Sequence, residues 1–327
     1  MLELSAENAA EYLNGAGMGS GPWRVIELGG GVSNTVLLVE SEAGRFVLKQ
    51  ALGKLRVEQD WFSDRRRILR ESGAMRALKP HLPPGAVPEV IFEDETNLIY
   101  AMSAAPAGAQ SWKELLLAGE IDLEIAVQIG RMLASMVRIS WKQPRWESEF
   151  GDQTVFDQLR IDPYYRSTAV QHPDLAAQFG HLMRESGARR VSLVHGDWSP
   201  KNFLVSRGAV MAIDFEVIHY GDPAFDSAFL LNHLVLKTFY RPEWGGRLSL
   251  AAGRFWDAYT SGLPAGSDWI ESATLQHLGG LLLARIDGKS PAEYLKNPAM
   301  RERIRQFARN LMLCPPDTIE QVFQSIC

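Results

Sequence analysis

The chain is 327 residues long, 46% hydrophobic and 22% charged, with a formal net charge of -5 and a pI near 5.9. That length fits two modest lobes around one cleft, and the mild acidity argues against nucleic acid or an anionic membrane as a partner. Two cysteines, Cys314 and Cys327, exclude a disulfide scaffold; acids among residues 1–7, and no apolar run near the roughly 20 residues that span a bilayer, point to a soluble, cytoplasmic protein.

Residues 5–13 read as a short helix with Ser5 at its N-cap and Gly15 closing it. Three strands follow at 23–28, 35–39 and 45–50, joined by Gly29-Gly30-Gly31 and by residues 41–44. A helix is expected over 64–79, where Pro80 ends it, and then strands at 87–92 and 97–102. The run Arg65-Arg66-Arg67 reads as a solvated helix face. After Pro106-Ala107-Gly108 the pattern turns helical. Residues 122–140 carry a stripe of Ile125, Ile129, Met132 or Leu133, and Met136, and 173–186 give another helix. Short strands at 191–194, 203–205 and 210–213 precede helices at 224–239, 267–286 and 298–313. This is an α+β chain with a β-rich lobe over 1–103, a hinge at 104–110 and a larger helical lobe over 111–327.

Alternation places Lys49 on the Val47 face of its strand, opposite Phe46 and Leu48. By itself a strand lysine most often faces solvent. The next helix changes that reading, because Glu71 lies inside the apolar stripe of Ile68, Met75 and Leu78. A buried carboxylate needs a cation, and Lys49 is the natural one. Kinases hold the α and β phosphates of ATP with such a pair. One hairpin upstream, glycines let backbone N–H groups approach phosphate closely. Gly30, Gly31, Ser33 and Asn34 are therefore expected at the nucleotide, with Met102 beside them at the entrance to the hinge.

The strongest signal is Val194-His195-Gly196-Asp197-Trp198-Ser199-Pro200-Lys201-Asn202 followed by Ala212-Ile213-Asp214-Phe215-Glu216. Both aspartates end short apolar strands, which aims them into a cleft. Phosphoryl transfer needs a carboxylate near the acceptor hydroxyl and oxygen ligands that fix magnesium between phosphates. Asp197, Asn202 and Asp214 supply that set. His195 has no partner at metal-ligand spacing and reads as a buried prop for the loop; Asp226 is expected to bond the same backbone.

These residues resemble the aminoglycoside phosphotransferase superfamily, whose pattern His-Gly-Asp-x-x-x-x-Asn stands at 195–202. The resemblance implies a bilobal protein-kinase-like fold with ATP and Mg2+ as cofactors. It makes Asp197 the catalytic base, puts Asn202 and Asp214 at the metal, and puts Lys49 with Glu71 at the ATP phosphates. Leu4-Ser5-Ala6-Glu7, the run Val47-Leu48-Lys49-Gln50-Ala51-Leu52 and Asp214-x-Glu216 are similar to the methylthioribose kinases within it. That narrower likeness implies Glu216 as a further metal ligand, Arg285 at the acceptor and a methylthioribose-like sugar as the acceptor itself. Asn202, Ser199 and the single arginine of Ala284-Arg285 depart from that subgroup, so an aminoglycoside-type antibiotic or an amino alcohol stays open.

Charge favours the sugar. Arg285 and Lys289 flank Asp287, and Arg145, Arg160 and Arg166 add cations in a stretch expected to be loop-rich, a poor surrounding for a polycation. A protein kinase would need more than the nine residues between Asp214 and the helix at Ala224, and it would carry glycine where Glu216 stands. A non-catalytic nucleotide-binding module would lack one of Lys49, Asp197, Asn202 or Asp214, and all four are present. The sequence is compatible with a homodimer.

Overall fold

In the computed structural model, which describes residues 2–19, 21–29, 33–42, 44–56 and 61–326, an antiparallel five-stranded sheet comes first. Its order is β1-β2-β3-β5-β4, with β1 (Arg24–Glu27), β2 (Asn34–Ser41), β3 (Gly44–Ala51), β4 (Val90–Asp94) and β5 (Ile99–Ser103). Side-chain alternation divides the sheet into two faces. Leu37, Val39, Phe46, Leu48, Ile99 and Ala101 pack with Leu4, Ala9 and Leu13, so helix α1 (Ala9–Gly15) covers the outer face. Leu13 is fully buried there, a contribution of about 1.5–3 kcal/mol from burial. Leu38, Val47, Tyr100 and Met102 turn the other way, toward Ile68, Met75 and Leu78 of α2 (Arg67–Leu78). Lys49 shares that inner face.

α1 begins later than its sequence suggests. The Asn8 Oδ1 accepts the Ser5 N–H at 2.8 Å, and this local ring competes with a helical turn. The strands and α2 differ from expectation by a few residues at their ends, where fraying and capping decide the boundary.

The remainder is largely helical. It comprises β6 (Gln110–Ser111), α3 (Trp112–Ala118), α4 (Leu123–Ser140), α5 (Pro144–Phe150), a short α6 (Thr154–Phe156), a π-helical stretch Asp157–Arg166, α7 (Ser167–Gln171) and α8 (Ala176–Ala188). Then come β7 (Ser192–Val194), the hairpin β8 (Phe203–Ser206) and β9 (Ala209–Ala212), and β10 (His219–Gly221). Helices α9 (Ala224–Tyr240), α10 (Gly245–Thr260), α11 (Ile270–Asp287), α12 (Pro298–Leu313) and α13 (Ile319–Gln324) complete the chain. The expected stripe of α4 is buried, and α10 lies so close to it that a Cβ on Gly130 would sit 2.5 Å from the Phe255 carbonyl oxygen. α9 is buried along nearly its whole length and forms the centre of the helical part.

Residues 145–166 are not loop-rich. Pro163 removes one N–H inside this stretch and disrupts the ordinary helical pattern; the chain answers with wide π turns. Among the described residues no helix is long and apolar enough to cross a membrane.

Candidate active site

The β8–β9 hairpin brings two of the expected residues together. Phe203 pairs with Ala212, and the next step out is an Ile213 N–H donated to the Asn202 carbonyl at 2.9 Å. Asn202 and Asp214 therefore flank one hairpin mouth. Asp214 adopts φ 69°, a left-handed conformation that aspartate tolerates better than most residues and that often marks a functional turn. The Asn202 Nδ2 donates to the Asp197 carbonyl at 2.9 Å, which leaves the amide oxygen as its acceptor atom.

The loop after β7 is fixed from below. Asp226, at the start of α9, accepts the His195 N–H at 2.6 Å and the Gly196 N–H at 2.9 Å, as its sequence position suggested. Gly196 has φ 78°, and a Cβ there would meet Val217 Cγ1 at 2.7 Å; glycine is required. The His195 Nδ1 accepts the Asp197 N–H at 3.1 Å, so its Nε2 carries the proton toward the Ile213 carbonyl at 3.1 Å. Burial lowers this imidazole to about 4. It is a neutral prop.

Asp197 is buried and ion-paired twice, to Arg160 at 3.0 Å and Lys201 at 2.9 Å. Burial would raise its pKa, but Lys201 and Arg160 overcome that and hold it well below the usual carboxylate range. The π-helical stretch supplies Arg160, whose Nε donates to the Gly196 carbonyl and whose guanidinium lies 5.6 Å from the Phe229 ring centre.

On the sheet side, Lys49 Nζ donates to Glu71 at 2.8 Å and to Asp214 at 2.6 Å, and the Phe215 N–H donates to the same Glu71 oxygen at 3.1 Å. Burial alone would discharge Lys49, but Asp214 and Glu71 raise it well above its ordinary value. For Asp214, burial acts upward, and Lys49 with Lys201 outweighs it and holds the carboxyl down. A lysine, a glutamate from α2 and an aspartate from the hairpin thus meet at one point.

Glu216, implied as a further metal ligand, is placed among protein donors. Its carboxylate accepts from Ser33 Oγ at 2.8 Å, Asn34 Nδ2 at 2.9 Å and Arg67 Nε at 2.9 Å, so both oxygens are already engaged by protein. Ser33 and Asn34, expected at the nucleotide, are thereby tied to the segment after Asp214. Gly30 and Gly31 lie outside the described residues. Met102 is buried opposite Val47, with the Tyr100 hydroxyl 3.7 Å from its sulfur. Asp214 and the Asn202 amide oxygen offer hard-oxygen ligands for a divalent cation. Among the described residues no cluster of three His, Cys, Asp or Glu could hold a metal by itself, which fits Mg2+ bound through one carboxylate and substrate phosphates.

Arg67 was not legible as a site residue. It is not part of a solvated face but is 1% exposed, and beyond Glu216 it donates to the carbonyls of Ser33 at 2.6 Å and Leu52 at 3.0 Å. The signal was present, since Arg67 sits four residues before Glu71 on the same helical stripe. Lys201, four residues after Asp197, was also missed.

A cavity of about 380 Å³ runs from Ser33 and Glu216 past Asp197 to Arg285 and Tyr294. Of the three arginines expected near the acceptor, Arg160 lines it, whereas Arg166 pairs with Asp157 at 2.7 Å and Arg145 lies over the Trp146 ring. Beside this cavity Lys237 is buried, and burial, with Lys113 and Arg285, lowers it to about 7 from 10.5. Between those values the unfolded chain binds the extra proton, so this residue's contribution to stability rises with pH. Lys237→Met is expected to stabilise the fold by on the order of 2 kcal/mol near pH 7 and by much less near pH 10. Urea unfolding of both proteins at the two pH values measures it; a gain that grows toward pH 10 would contradict the assignment.

Residues 24–269 match the family described as phosphotransferase enzyme family, well over half of the chain. The chain belongs to that family. Among curated relatives, this family member is 26% identical over 254 residues to methylthioribose kinase of Escherichia coli O45:K1 (strain S88 / ExPEC), covering 68% of this chain and 59% of that protein. It is 25% identical over 241 residues to methylthioribose kinase 2 of Oryza sativa subsp. japonica, covering 65% and 56% respectively. The chain therefore spans less than two thirds of the length of either. Among solved structures, an amicoumacin kinase in complex with AMP-PNP and Ca2+ superposes with a TM-score of 0.55 at 17% identity, over 92% of this chain and 91% of that one. The likeness establishes a shared fold, the kinase-like arrangement of an antiparallel sheet followed by helices.

Proposed function

We propose that this family member transfers the γ-phosphoryl group of ATP to a hydroxyl of a small, non-cationic metabolite, with a methylthioribose-like sugar the first acceptor to try. One observation carries the reading: the ionised, buried Asp197 lines a cavity together with Ser33 and Glu216, and Glu216 stands two residues after the Asp214 of the Lys49–Glu71–Asp214 cluster. The resemblance to methylthioribose kinases supports the sugar, and a lining of five cations against the carboxylates of Asp197, Glu216 and Glu293 disfavours an aminoglycoside.

In this reading the β-rich part, 1–103, with the segment 104–110, holds the nucleotide, and 111–327 holds the acceptor. Lys49, kept extended by Glu71, orients the α and β phosphates. Asp214 and Asn202 would hold Mg2+, which when bound neutralises charge between the phosphates. Asp197 accepts the hydroxyl proton of the acceptor, and Lys201 and Arg160 keep it ionised until then. Ser33 and Asn34, fastened to Glu216, stand beside the phosphates at the start of β2.

ADP release over a panel of sugars, amino alcohols and aminoglycosides tests the proposal: turnover is expected with a sugar-type polyol and none with kanamycin-type drugs. Efficient turnover of an aminoglycoside would defeat it. Asp214→Ala should weaken ATP binding by about tenfold or more when Mg2+ is present and much less without it. Calorimetric titration in both conditions is the check, and equal losses would mean that Asp214 acts only on the fold.

A further inference from the structure

One cation lining the cavity lacks a carboxylate partner among the described residues. Its lining cations are Lys113, Arg160, Lys201, Arg285 and Lys289. Four have carboxylate partners: Arg160 and Lys201 share Asp197 at 3.0 and 2.9 Å, Lys113 pairs with Glu293, and Lys289 pairs with Asp162 at 2.8 Å. Arg285 differs. It is 9% exposed, and its Nη1 donates to neutral groups, the Ser290 carbonyl, the Ser290 Oγ at 2.9 Å and the Tyr164 hydroxyl at 3.5 Å. Its Nε is buried with no partner among the described residues.

Behind this wall lies a buried amine, that of Lys237, against the ring of the lining residue Tyr294. Lys237 is 1% exposed, its Nζ reaches the His233 carbonyl at 3.5 Å, and it lies 5.4 Å from the Tyr294 ring centre. Tyr294, which lines the cavity between them, has a buried hydroxyl without a partner among the described residues. A buried guanidinium without a carboxylate partner and an idle hydroxyl on one wall are unfavourable unless an anion completes them. A guanidinium with unused N–H groups is shaped for a planar carboxylate.

We propose that this wall is a carboxylate site, so that the acceptor is a small hydroxylated acid, a sugar acid or hydroxy acid, whose carboxylate is held by Arg285 while a hydroxyl faces Asp197. This rests on the phosphotransfer reading and narrows it, giving the acid form of a polyol preference over its neutral counterpart. Tyr294 donates to the same carboxylate, with Lys237 packed behind its ring. Ser290 holds the guanidinium in place from the far side. The bound acid places its reacting hydroxyl by the distance between carboxylate and chain, which makes Arg285 a specificity-determining residue.

The test pairs acids with their neutral counterparts: glycerate with glycerol, ribonate with ribitol, gluconate with sorbitol. Calorimetric titration into the full-length protein, without turnover, should show at least one acid binding about tenfold or more tighter than its neutral partner, the scale of one charge-assisted contact. Arg285→Met should abolish that preference, whereas Lys289→Met, whose lysine already has Asp162, should keep it. ADP release then reports transfer separately: acid binding without turnover would leave the anion site standing and remove the kinase reading. Neutral polyols binding as well as every acid, no acid binding at millimolar concentration, or a preference unchanged in Arg285→Met would overturn the proposal. Tighter binding of ribose 5-phosphate than of all three acids would overturn the carboxylate assignment.

Discussion

Asp197→Asn should lower turnover of a verified acceptor by about a hundred- to ten-thousand-fold, the usual worth of a general base, while ATP affinity changes little. The amide keeps the shape of the side chain but cannot take a proton. Arg160 and Lys201 lose their shared counter-charge, so some loss of stability accompanies the substitution, and a thermal melt must show the variant folded at the assay temperature. Steady-state kinetics with acceptor and nucleotide varied in turn separates the effects: kcat falls and the ATP KM holds. Turnover at the wild-type rate would remove Asp197 from the chemistry.

Arg67→Met has the second large effect, and it falls on stability. Glu216 is buried with a single cationic partner among the described residues, Arg67 at 2.9 Å. Removing one member of a buried pair strands the other's charge, at a cost of about 3–5 kcal/mol. The Ser33 and Leu52 carbonyls lose their guanidinium donors as well, so the start of β2 and the end of β3 loosen together. Urea unfolding should show the loss, and Arg67→Met combined with Glu216→Gln should recover much of it, because the stranded charge is gone. A loss under about 1 kcal/mol for Arg67→Met alone would place this pair among ion pairs of little consequence. The folded remainder should show a raised ATP KM, since Ser33 and Asn34 hang on the same carboxylate.

What the sequence revealed and what it hid have physical reasons. Lys49 and Glu71 were legible because a carboxylate on an apolar stripe and a lysine on the facing strand have few alternatives to each other. Asp214 was legible because it follows a short apolar strand, and Asn202 because it stands at a fixed distance from Asp197; the strands beside them turned out to be one hairpin. Arg67 was hidden by its neighbours: three successive arginines suggest solvent, yet a helix turns each in a different direction, and one of the three faced the core. A metal role for Glu216 came from the resemblance alone, and its donors Ser33, Asn34 and Arg67, far away in sequence, could not be read from its neighbours. The helical stretch at 157–166 was hidden by Pro163, and with it the identity of the arginine that faces Asp197. Balance of charge along the cavity wall belongs to tertiary structure alone, because Arg285, Lys237 and Tyr294 come from α11, α9 and the turn before α12.

Phosphorus NMR of the wild-type protein with Mg2+, ATP and the acceptor panel examines phosphoryl transfer by this cleft most directly. The γ-phosphate signal should disappear in step with a new phosphate monoester on one acceptor, ADP should accumulate in equal amount, and Asp197→Asn should leave the spectrum unchanged over the same interval. Inorganic phosphate as the sole product with every acceptor, or a monoester formed equally well by Asp197→Asn, would contradict it.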